Sequence, residues 1–113
     1  MNMEAASIPS AIVGWSRVCR VEDIPKLGAR VVKSAACNIA VFRNAEDEIF
    51  ALHDKCPHKG GPLSQGIVYG RTVACPLHNQ NISLADGTVV APDTGCTKTF
   101  AVKVESGDVF LQL

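Results

Sequence analysis

The chain has no excess of charge of either sign. Eleven Lys and Arg balance eleven Asp and Glu across 113 residues. The one-sided field that draws a protein onto a phosphate backbone is missing, so nucleic acid is excluded as an expected partner. No RNA- or DNA-binding module signature is present either. Long apolar runs are also lacking. Nothing approaches the ~20 residues needed to span a bilayer, so no membrane partner is expected. The opening stretch "MNMEAASIPSAIVGW" has no basic segment, and its longest apolar run is Ala11-Ile12-Val13. That is far short of a secretory core, and the cytoplasm is the expected location. Aromatic residues make up only 5%. A Gly-rich nucleotide-binding fingerprint opening a helix is absent, as is any long amphipathic helix.

What is present is a composition of 47% hydrophobic and 19% charged residues, typical of a folded domain. Short β runs alternate with turn residues. "WSRVCRV", "ARVVK", "NIAVFR" and "EIFALHD" read as strands, with a hairpin loop at Arg43-Asn44-Ala45-Glu46-Asp47. "KCPHKGGPLSQG" is loop, "IVYGRTVAC" is two short strands about Gly70, and "CPLHNQ" is loop again. "NISLADGTVV" carries an Asp86-Gly87 turn, "APDTGC" is a third loop, and "TFAVKVESGDVFLQL" is a hairpin turning at Ser106-Gly107. The expectation is an all-β fold of about nine or ten short antiparallel strands in one domain spanning 1–113.

Two of the five cysteines and two of the three histidines fall in two of these loops, as Cys56-Pro57-His58 and Cys75-Pro76-Leu77-His78. Five cysteines in a chain of this expected location suggest metal or redox chemistry before a disulfide framework. Three readings compete. Core cysteines with surface histidines would leave the repeated Cys/His pairing unexplained. Structural zinc pairs like ligands at C-x2-4-C and H-x3-5-H spacing, whereas each loop here pairs unlike ligands. A Rieske [2Fe–2S] centre, with two His replacing two Cys on one iron, fits mixed loops directly.

The pattern C-x-H-x16-C-x2-H resembles the Rieske family in residue type, order and all three spacings. The resemblance implies a Rieske-type iron–sulfur domain of stacked sheets with a cluster-binding loop subdomain at about 54–95. Cys56 and Cys75 would ligate one iron as thiolates, and His58 and His78 the other through ring nitrogens. High-potential members carry one further Cys in each loop, joined as a disulfide. The matching positions are Gly61 and Leu77, so that bridge cannot form here. Gln80 and Ile82 stand where those members place Ser and Tyr hydroxyls against the sulfurs. A potential nearer ~ −150 mV than ~ +300 mV is therefore expected. Gly60 and Gly61 leave room for backbone N–H groups near sulfide, and Pro92 matches the proline-bearing loop that covers the cluster in the family.

Beyond the cluster ligands only His53 remains, so a mononuclear iron site of two His and one carboxylate cannot be built. A second four-Cys cluster is excluded, because Cys19, Cys37 and Cys96 are three. No active site is expected, only a role in electron transfer or structural support within a larger complex. "CPHKGGPLSQGIV" followed by "ACPLHNQNISLADGTVVAPDTGCTKTFAVKVE" resembles the small subunit of assimilatory NAD(P)H-dependent nitrite reductase. Gln80 departs from that family, where Trp is common. The resemblance implies a large partner subunit holding flavin, a [4Fe–4S] cluster and sirohaem, which reduces nitrite to ammonium in nitrate assimilation. The alternative is a free Rieske-type ferredoxin delivering electrons to a ring-hydroxylating oxygenase.

Overall fold

The computed structural model describes residues 14–35, 37–55, 61–75, 80–90 and 95–112. Among them the order is β1 (Trp15–Arg20), β2 (Gly28–Lys33), β3 (Asn38–Arg43), β4 (Ile49–His53), β5 (Ile67–Tyr69), β6 (Thr72–Ala74), β7 (Asn81–Ser83), β8 (Thr99–Phe100), β9 (Val102–Glu105) and β10 (Asp108–Gln112). Single 3₁₀ turns occur at Val21–Asp23 and Leu63–Gln65. The strands form three antiparallel sheets, ordered β1-β10-β9, β2-β3-β4-β8 and β5-β6-β7. The all-β Rieske-type architecture expected from the sequence is the one observed.

The segment "IAVF" of β3 explains the layering. Ile39, Ala40, Val41 and Phe42 are all 0% exposed, so the strand is buried on both faces. Side chains alternate along a strand. Ile39 and Val41 join Cys19, Ile24, Ala51, Val109 and Leu111 in an outer core. Ala40 and Phe42 join Leu52, Leu63, Val68, Val73, Cys75, Ile82, Leu84 and Val89 in an inner core. The β2-β3-β4-β8 sheet is thus the middle layer, with β1-β10-β9 packed on one side and the small β5-β6-β7 sheet on the other. Each large apolar side chain buried this way contributes about 1.5–3 kcal/mol.

Two details depart from the sequence pattern. The alternating run from Thr99 to Glu105 reads as one strand, yet it divides at Ala101. Thr99 and Phe100 pair with Leu52 and Ala51 of β4, whereas β9 pairs with β10. Thr88 and Val89 form isolated bridges to Cys96 and Ile82 instead of a strand. The closing hairpin does turn at Ser106 and Gly107, both at positive φ (50° and 82°), as a two-residue turn matched to strand twist requires.

Candidate metal centre

Of the four expected ligands, Cys75 lies within the described residues; Cys56, His58 and His78 lie outside them, as do Gly60, Leu77 and Pro92. Cys75 directly follows β6 and is 1% exposed, at the margin of the inner core. Its backbone N–H donates to the Gln80 carbonyl at 2.7 Å, closing the mouth of segment 76–79 across the β6–β7 hairpin.

The roots of segment 56–60 are also tied. On the entry side the His53 N–H donates to Lys98 O at 2.8 Å, and the Asp54 N–H donates to Asn38 O at 2.9 Å. The Thr97 hydroxyl donates to Lys55 O at 3.3 Å. On the exit side Leu63 is fully buried. The Ser64 N–H and hydroxyl donate to the two oxygens of Asp54 at 2.7 and 2.9 Å. Segment 91–94 is rooted by Val90 N–H to Asn81 O at 2.7 Å and Val89 N–H to Gly95 O at 2.9 Å. Asn81 opens β7 one residue after Gln80, and Thr97 reaches Lys55. The roots of all three segments therefore gather at one end of the small sheet.

This arrangement fits a mixed Cys/His iron–sulfur group. A buried thiol stands at an apolar boundary, and the two segments rooted beside it carry the other thiol and both imidazoles. Among the described residues no cluster of three or more His, Cys, Asp and Glu forms a competing metal site. Ile82 is fully buried in the inner core, so its position offers hydrocarbon and no hydroxyl. Gln80 is half-buried and contributes its carbonyl to the Cys75 N–H.

The other cysteines are dispersed. Cys19 is in the outer core, where burial pushes its thiol up from the ordinary value. Cys37 is half-buried with the Ser34 hydroxyl 4.0 Å from its sulfur, and Cys96 is exposed. None of these three is in a disulfide. His53 ends β4 and takes part through its backbone.

Sequence reasoning missed four supporting residues: Asp54, Ser64, Thr97 and Asn44. Asn44 is fully buried, and its side chain makes four hydrogen bonds. Its amide donates to Glu48 Oε1 at 2.8 Å and Gly70 O at 3.1 Å. Its oxygen accepts from the N–H groups of Glu46 and Glu48. An Asn opening a hairpin loop is an Asx-turn signal that pointed to the local bonds but not to the one reaching Gly70.

The fold is that of an iron–sulfur electron-transfer domain. The chain belongs to the Rieske-like [2Fe-2S] domain family, whose model matches residues 14–112, and a Rieske-type cluster is its cofactor. It is 36% identical over 96 residues to the 3-phenylpropionate/cinnamic acid dioxygenase ferredoxin subunit of Photorhabdus laumondii, covering 83% of this chain and 90% of that one. Among solved structures it is similar to a chain in a complex of reduced oxygenase and oxidized ferredoxin of carbazole 1,9a-dioxygenase, with TM-score 0.77 and 29% identity over 87% of this chain and 92% of that one. It is also similar to a protein assigned as an NADPH nitrite reductase small subunit, with TM-score 0.77 and 26% identity over 86% of this chain and 96% of that one. No helix among the described residues is long and apolar enough to cross a membrane.

Proposed function

We propose that this protein is a Rieske-type ferredoxin that delivers electrons to a ring-hydroxylating oxygenase. The observation that carries this is the 36% identity, over most of both chains, to a dioxygenase ferredoxin subunit. Cys56 and Cys75 hold one iron as thiolates, and His58 and His78 hold the other. When bound, the cluster supplies one-electron redox chemistry. The chain's own residues root the ligand segments at one end of the small sheet and keep Cys75 dry.

The nitrite reductase small subunit is retained as a second reading, supported by the 26% identical structure and by "KGGPLSQG". The packing weakens the second support. Leu63 fills the inner core, Ser64 binds Asp54, and Gly66 lies against β6. Those residues serve the fold whatever the partner is.

Affinity purification from the native cells separates the two. The ferredoxin reading expects a red-brown protein free of sirohaem that, once reduced, passes electrons to an oxygenase component. Co-elution with a large sirohaem flavoprotein would overturn it in favour of nitrite reduction.

A further inference from the structure

The two ligand segments are closed in different ways. Segment 76–79 joins β6 to β7, which pair with each other, so the ladder continues to its mouth through the Cys75–Gln80 bond. Segment 56–60 joins β4 to β5, which belong to different sheets. No ladder runs between those strands to close its mouth. The distance from Asp54 to Ser64 along the chain is instead spanned by one side chain. The Asp54 carboxylate accepts the Ser64 N–H on Oδ1 at 2.7 Å and the Ser64 hydroxyl on Oδ2 at 2.9 Å. Both ends of this clasp are fixed independently. Asp54 is held by its own N–H on Asn38 O, next to the bond from His53 to Lys98. Ser64 sits in a 3₁₀ turn whose Leu63 is fully buried.

We propose that Asp54 is a positioning residue for the ligands Cys56 and His58, its carboxylate doing for the first segment what strand pairing does for the second. The proposal rests on the ligand assignment above. Two bonds from one side chain to Ser64 fix both the separation and the relative direction of the loop's roots. A ligand loop tied at both roots also loses less freedom when it binds iron. Asp54 therefore acts through the geometry of the first loop, not as a ligand.

The test uses the full-length holoprotein. Reduced-state EPR first establishes whether the wild type carries a histidine-ligated [2Fe–2S] cluster. Its absence would sink the ligand assignment and leave the clasp without a role. Given that cluster, its loss is followed by visible absorbance under excess EDTA, alongside far-UV circular dichroism of the backbone. Asp54→Ala is expected to lose the cluster about 10–100-fold faster than wild type, with broadened EPR features. Ser64→Ala, which keeps the backbone N–H bond to Asp54 and loses the hydroxyl bond, falls between.

Asp54→Asn separates position from charge. Its oxygen still accepts the Ser64 N–H, and its amide donates to the Ser64 oxygen, so a positioning role predicts recovery to within about threefold of wild type. Should Asp54→Ala fail to fold, Ser64→Ala and Asp54→Asn decide the matter. Cluster loss at the wild-type rate in Ser64→Ala and Asp54→Ala, or Asp54→Asn as fast as Asp54→Ala, would overturn the proposal.

Discussion

Arg71 grips Glu48 through two hydrogen bonds, Nε to Oε1 at 2.9 Å and Nη2 to Oε2. The same Oε1 accepts from the buried Asn44 amide at 2.8 Å. Arg71 is the second residue of the β5–β6 turn and Glu48 ends the β3–β4 loop. The three residues thus pin the small sheet to the middle sheet at the end away from the roots of the ligand segments.

Asn44 is the part of this contact shielded from water. Replacing it with Ala leaves the Gly70 carbonyl and the N–H groups of Glu46 and Glu48 without their partner. Asn44→Ala is expected to cost about 2–3 kcal/mol in chemical denaturation. Arg71→Ala should cost less, because exposed ion pairs are screened by solvent. Equal losses in the two variants would contradict this ranking.

Acid should weaken the fold through the same carboxylate. Arg71, and then Asn44, hold Glu48 below its ordinary value; Arg43 does so for Asp47 and the Thr88 backbone N–H for Asp86. A carboxyl depressed in the folded state contributes stability above its unfolded value of about 4. That contribution is lost as the pH falls through the lower folded values. Denaturation midpoints measured from pH 7 down to pH 3 should therefore fall steadily below about pH 4. Glu48→Gln should show a shallower fall over that range, and parallel curves would rule out the assigned contribution.

Gly66 has an ordinary backbone conformation (φ −78°, ψ 175°), so strain does not demand glycine there. Space does. A Cβ would collide with the Ala74 carbonyl oxygen and come within 2.8 Å of Val73 Cγ2. Gly66→Ala is expected to destabilise the protein by about 1–3 kcal/mol through overpacking. A thermal melt unchanged from wild type would show that β6 yields to the methyl group.

The reduction potential should lie in the lower part of the Rieske range, nearer ~ −150 mV than ~ +300 mV. Gly61 cannot form a disulfide, and Ile82 is buried hydrocarbon where a hydroxyl would raise the potential. Potentiometric titration followed by EPR measures it directly. A clearly positive midpoint would require hydrogen bonds to sulfur from some other source.

Much of the architecture was readable in the residues. "NIAVFR" announced a strand, though not that it is buried on both faces, and Ser106-Gly107 announced the closing hairpin. The division of the last alternating run at Ala101 was not readable. Alternation reports which side of a strand is buried, and it is silent on which sheet supplies the neighbour. The Cys/His pattern gave the metal chemistry, because ligand type and spacing are local. Asp54 and Ser64 were missed because their relation spans a loop and two sheets. The partner class was harder still. "LSQG" reads as a family mark, yet burial of Leu63, the Ser64 clasp and the tight fit at Gly66 each have a packing cause shared by any partner.

The chain leaves the middle sheet at His53 and rejoins it at Thr99, which pairs with Leu52. Everything from 54 to 98 is an excursion whose two ends already lie side by side. Lengthening such a detour costs little, about 0.6 kcal/mol per doubling. A graft of this detour would need only two splice points, and its success would turn on matching the apolar face that Ala40, Phe42 and Leu52 present to it.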